Sequence, residues 1–187
     1  MKPSGPPDHP QRPSLTSRRL TAAVGSAIFF AGAPAVVGGA VPWLLTRWRA
    51  GEPFPGKITL QGLGALAVAT ATIVLVTAFV RFVIEGLGTP APVAPTEELV
   101  VGGLYRYVRN PMYLAVIGIV IGQALILGRP VLLGYAAAIG FAMAVFVRAY
   151  EEPALARQFA DQYECYRRHV PRWWPRIHAW DPTIRRH

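Results

Sequence analysis

Arg109, Asn110 and Pro111 combine a charge with a helix start. Asn is favoured just before a helix, and Pro at the first helical position gives up no intrahelical hydrogen bond. A helix beginning there turns free backbone N–H groups and a partial positive charge toward the preceding loop. Arg109 adds a full charge at the same spot, and such a corner suits a carboxylate or a phosphate. The plainer reading of Gly103–Tyr113 is a basic, aromatic anchor at a membrane surface, where Arg and Tyr are common. Helix-start patterns are generic, so spacing alone leaves both readings open.

A second group lies further along the chain. Glu151-Glu152-Pro153 follows an apolar run and precedes Phe159, Tyr163, Tyr166 and Val170-Pro171-Arg172. The glutamates offer a place for an ammonium or adenine group; their plainer role is pairing with Arg148 or Arg106 at the interface. Read in order, R-N-P-x-Y, a helical hairpin, then E-E-x-x-L-x-x-x-F-x-x-x-Y-x-x-Y-x-x-x-V-P-R resembles the isoprenylcysteine carboxyl methyltransferase and phospholipid methyltransferase superfamily, over roughly residues 81–176. The loop segment G-T-P-A-P resembles its bacterial members. Two departures stand out: Asn110 replaces the His of the family's R-H-P, and Ala160 replaces the Gly of F-G-x-x-Y.

The resemblance implies an integral-membrane methyltransferase that uses S-adenosylmethionine. It implies Arg109 and Glu152 as catalytic residues, and Tyr105, Arg109, Asn110, Pro111, Tyr113, Glu151, Glu152, Tyr163 and Tyr166 around the cofactor. S-adenosylmethionine carries a carboxylate, an ammonium and a sulfonium; electrostatic matching alone does not choose it over other zwitterions. The acceptor is expected to be lipophilic: an isoprenylcysteine-type carboxylate, a lipid amine or a thiol. A carboxylate needs no base, whereas an amine or thiol must first lose a proton. Asn110 cannot titrate, so it cannot replace a proton-transferring His. As a helix cap it would serve well, and Pro111 favours that role. NADPH-dependent sterol-type reductases carry a similar R-H-P-x-Y segment, but the E-E-P and V-P-R groups argue against them. A non-catalytic protein that keeps the scaffold is the other alternative, with Asn110 its best support.

Both groups must be placed by the apolar runs between them. The chain has 187 residues, is 52% hydrophobic and only 16% charged, and so has membrane composition. Its net charge of +9 is concentrated at the ends. It reads as anchoring against anionic lipid on the cytosolic side, not as nucleic-acid binding. Cys165 is the sole cysteine, and no zinc or other metal spacing appears. The fold expected is all-α: about four transmembrane helices and a C-terminal interfacial amphipathic helix. The domain reading is a disordered basic segment 1–19, one membrane domain 20–176 and a tail 177–187.

The first run, Leu20–Leu45, contains Pro34 and Pro42, which should kink or end it. Ala31-Gly32-Ala33 resembles a signal-peptide cleavage site, but the apolar character continues past it. The second run spans about Ile58 to Ile84, with Gly62 and Gly64 positioned for close helix contact. Arg81 near its end either snorkels to the interface or faces the site. A proline- and glycine-rich loop follows, from Glu85 to Thr96. Pro111–Leu127 and Val131–Val147 then form a hairpin joined by Gly128-Arg129-Pro130. Each covers about 25 Å, slightly short for a bilayer core. Because a hairpin returns its ends to one side, it brings Arg109 and Glu151-Glu152 to the same membrane face. Pro153 should break the fourth helix, and the aromatic residues after it mark an interfacial helix. The expected location is a bacterial inner membrane, multi-pass, with both termini cytosolic.

Overall fold

A computed structural model describes residues 32–52, 56–86 and 99–181. All regular structure among them is helical. The basic segment 1–19, the first part of the Leu20–Leu45 run, the body of the Pro/Gly loop and residues 182–187 lie outside the described residues.

Helix α1 passes through Gly32–Thr46. Neither proline ends it. Pro42 has no N–H for the carbonyl of Gly38, four residues earlier, and the helix loosens into a π-turn over Val36–Ala40. Gln123 Nε2 donates to the Gly38 carbonyl at 2.6 Å, and the Tyr135 hydroxyl donates to Val37 O at 3.0 Å. The irregularity thus becomes an attachment to the next helices.

Helix α2 is Lys57–Gly86, α3 is Pro111–Leu127 and α4 is Pro130–Phe146. The hairpin turn is built as its sequence predicts: Gly128 takes a left-handed conformation (φ 62°) and Pro130 opens α4. Gly51 N–H donates to Leu127 O at 2.7 Å, and Arg129 Nε donates to Arg49 O at 3.0 Å. The end of α1, the start of α2 and the hairpin turn therefore share one end of an up-and-down bundle.

The α2–α3 contact is the most intimate. A Cβ on Gly64 would stand 2.6 Å from Gly122 O, and one on Gly122 would stand 2.6 Å from Val68 Cγ2. Gly118 packs against Ala71 in the same seam. Small residues let the helix backbones approach this closely. Gly62, by contrast, faces open space, so only Gly64 of the expected pair serves the contact.

Two described helices are long and apolar enough to cross a membrane, within Lys57–Phe82 and Pro130–His169; Gly32–Thr46 and Pro111–Leu127 are shorter. Of the about four transmembrane helices expected, two therefore reach that length and two fall short of it. α3 is confined to 17 residues by Pro111 at one end and Gly128 at the other. The two long apolar windows are only 22% and 17% buried within the protein. Ile58, Leu66, Ile73, Phe141 and Val145 all point outward.

Pro153 does not break the fourth helix. The chain runs on through a π-turn at Val147–Glu151 into α5, Glu152–His169, with Pro153 in its first turn. The widened turn absorbs the missing N–H without ending the helix. The interruption falls instead at Ala160, where φ is 41° and ψ −116°. That backbone conformation favours glycine, and Ala160 stands where the family pattern carries Gly. α5 is amphipathic: Tyr163 and Tyr166 are buried while Arg157, Arg167 and Arg168 are exposed. The packed chain continues beyond residue 176, because Trp180 is buried against Tyr166 at 5.6 Å between ring centres.

Candidate active site

At the other end of the bundle, a short turn at Gly103–Arg106 leads into the Arg109 corner. Gly102 N–H donates to Glu85 Oε2 at 2.8 Å, and Arg81 pairs with Glu85 at 3.1 Å. Gly103 adopts φ 54° directly over the Arg81 side chain. Arg81 therefore braces this loop and does not line the cavity beside it.

The C-terminal segment straps across the corner. Arg109 N–H donates to Pro171 O at 3.0 Å, Arg176 N–H to Tyr107 O at 3.0 Å, and Trp180 N–H to Arg106 O at 3.0 Å. Tyr166 hydroxyl donates to Tyr105 O at 2.7 Å. Burial pushes the Tyr105 hydroxyl pKa well above its usual range, so it stays a neutral phenol.

The glutamates are held differently from one another. Glu152 Oε1 accepts from Arg109 Nη1 at 2.8 Å and from Arg172 Nε at 2.7 Å; Arg172 Nη2 reaches its other oxygen. The Arg109 and Glu152 side chains are each only 10% exposed, so little solvent screens the pair. Arg109 Nη1 also donates to the Tyr163 hydroxyl at 3.0 Å, while Arg109 Nε is buried with no hydrogen-bond partner among the described residues. Glu151 has no cation partner among the described residues: its Oε2 accepts the Tyr113 hydroxyl at 2.9 Å. The plainer alternative, pairing with Arg148 or Arg106, is not seen among the described residues; the partners of Glu152 are Arg109 and Arg172.

Asn110 departs from the expected capping role. It occupies the residue before α3, but its side chain makes no capping hydrogen bond. Its Nδ2 donates instead to Arg172 O at 3.1 Å. The strap offers an acceptor in the direction the amide faces, so the tertiary contact wins over the local one. Pro111 opens α3 as expected and is fully buried.

A cavity of about 620 Å³ opens from this corner into the bundle. Tyr105, Arg109, Asn110, Pro111, Tyr113, Glu151, Glu152, Tyr163 and Tyr166 all line it, so the sequence-selected residues converge on one space. Its other wall is apolar, formed by Val37, Leu75, Phe82, Met143 and Val147. Among the described residues, no three His, Cys, Asp or Glu side chains gather as a metal site.

The phospholipid methyltransferase family model matches residues 60–162, more than half of the chain. The chain belongs to the phospholipid methyltransferase family. This places it in the superfamily that the ordered motifs resemble, and methyl transfer is the activity carried by the family's description. No curated protein and no solved structure matches the chain. Within the matched region lie α3, α4, both glutamates and Arg109.

Three residues at this end stand outside the site residues expected from the sequence. Arg172, beyond the matched region, completes the grip on Glu152; its position in V-P-R was the available signal. Arg157 and Gln158 line the cavity from α5. Exposed-looking positions on a basic helix gave no sign of that.

Proposed function

We propose that this protein is an integral-membrane methyltransferase that binds S-adenosylmethionine at the Arg109 corner and methylates a lipophilic acceptor held along the apolar wall. The single observation that carries the reading is the cavity itself, which joins a charged end to an apolar end. Its volume lies within the range of small-molecule sites.

The residues present suit the cofactor. Arg109 Nε is a buried donor with no protein partner, and the first N–H groups of α3 have no helical carbonyl to reach. These would hold a carboxylate. Glu151, with no cation partner among the described residues, would hold an ammonium group. When bound, the cofactor supplies an electrophilic methyl group on a sulfonium. The chain's own contribution is alignment and exclusion of water. Leu75, Phe82 and Met143 keep the acceptor's surroundings dry. Tyr113 fixes the Glu151 carboxylate by its hydrogen bond. Glu152 is a positioning residue: clamped between two arginines, it orients Arg109.

The bilayer reading rests on the outward-facing apolar surface. A buried core helix of a soluble protein would pass the same length test, but α2 and α4 are mostly unburied. We take α1 and α3 to cross with them, giving four spans, with α5 at the interface. The site end carries Arg106, Arg109, Arg148, Arg157, Arg167, Arg168, Arg172 and Arg176; the hairpin end carries Arg47, Arg49, Lys57 and Arg129. The more basic end is assigned to the cytosol, where the cofactor is available.

The test is methyl transfer by purified protein from S-adenosylmethionine labelled in its methyl group to bacterial lipid extract. Label in the organic phase, lost in Arg109→Ala, is expected. Label absent with parent protein that binds the cofactor would contradict the acceptor class.

A further inference from the structure

We propose that Arg157 is an acceptor-recognition residue: it binds an anionic group, a phosphodiester or a carboxylate, on the molecule that receives the methyl. The inference rests on the methyltransferase reading above and names a property of its acceptor.

Arg157 lines the cavity from α5. It lies on the same helix that supplies Glu152, Tyr163 and Tyr166. Of the other arginines at this end, Arg148 is exposed and does not line the cavity, and the rest are committed. Arg109 and Arg172 share Glu152, Arg106 holds Trp180 O, Arg176 holds His169 O, and Arg167 and Arg168 share Glu164. Among the described residues, Arg157 has no hydrogen bond or ion pair. An arginine that lines the cavity with no partner among the described residues is available to a ligand.

Charge balance gives the sign of that ligand. Arg109 and Arg172 against Glu152 leave one excess positive charge, and Glu151 offsets it. Arg157 then makes the empty cavity positive, and a bound sulfonium makes it more so. An acceptor with an anion restores neutrality, whereas a purely cationic amine meets repulsion. Arg is suited to the task because its fork of donors matches a carboxylate or phosphate oxygen pair.

The test measures binding by calorimetry in neutral detergent, with S-adenosylmethionine present and absent. Three probes of similar chain length serve: lysophosphatidylethanolamine (phosphodiester with amine), an S-farnesyl thioether carboxylate, and oleylamine, which has no anion. The variants are Arg157→Gln and Arg157→Lys. Arg157→Gln is expected to weaken the better-bound anionic probe about ten- to a hundredfold, the range of a lost charge-assisted hydrogen bond. Oleylamine and S-adenosylmethionine affinities should stay within twofold, and Arg157→Lys should recover part of the loss. Whichever anionic probe suffers more identifies the source of the anion. Unchanged affinity for both anionic probes would overturn the proposal. A loss confined to S-adenosylmethionine would also overturn it, assigning Arg157 to the cofactor. If the parent protein binds an anionic probe through Arg157 but no S-adenosylmethionine, the methyltransferase reading fails and the anion site stands.

Discussion

Arg172 reaches back along the chain to grip Glu152 with Nε at 2.7 Å and with Nη2 on the other oxygen. That contact makes the C-terminal strap part of the site, because Glu152 in turn holds Arg109. Arg172→Ala should cost about 1.5–3 kcal/mol, the scale of hydrogen bonds to charged groups. In a double-mutant cycle with Glu152→Ala, the two changes should be strongly non-additive. Thermal unfolding in detergent measures this; simple additivity would mean the grip is not formed.

Asn110 separates two accounts of the same position. A capping residue would tolerate Asp, which ranks with Asn at helix starts. A donor to Arg172 O would not, because Asp places an acceptor against a carbonyl at a buried site. Asn110→Asp should therefore lose about 1–3 kcal/mol, the cost of an unsatisfied buried group. Unfolding midpoints of the Asp, Ala and Ser variants give the sign. Asp equal to the parent would restore the capping account.

Ala160 holds a backbone conformation that L-residues avoid. Ala160→Gly should stabilise the protein by about 1 kcal/mol or more, the lower end of such strain. An unfolding midpoint that falls would show that the kink is not imposed on that residue.

The glycine seam gives a contrasting pair. Gly122→Ala would press a Cβ to within 2.6 Å of Val68 and 2.8 Å of Gly64 O. Overpacking of this kind costs about 1–3 kcal/mol. Gly62→Ala meets nothing within 4 Å and should leave the midpoint unchanged or raised. Equal losses at both sites would refute the seam.

The sequence carried the site further than the fold. Arg109, Glu151 and Glu152 were legible as a pair of motifs because a hairpin with a Gly128-Arg129-Pro130 turn must return its ends together. Pro111 and Gly128 bounded α3 to the residue, since each has a distinct conformational reason to stand there. Pro42 and Pro153 misled, because a π-turn can absorb a missing donor and only tertiary partners such as Gln123 reveal it. The Gly118-x-x-x-Gly122 spacing sits inside an apolar run that gives it no local mark, and of Gly62 and Gly64 only Gly64 faces it. Asn110 was read from local propensity, whereas its partner, Arg172 O, is distant in sequence. Arg157 was invisible because charge on an amphipathic helix looks the same whether it faces water or a cavity.

The central claim is tested most directly by calorimetric titration of the parent protein, Arg109→Ala and Glu151→Gln with S-adenosylmethionine in neutral detergent, with NADPH as control. The account predicts that the parent binds S-adenosylmethionine and not NADPH, and that each variant weakens binding about ten- to a hundredfold, as loss of a charge-assisted hydrogen bond requires. NADPH binding in its place, or equal S-adenosylmethionine affinity in all three proteins, would contradict it.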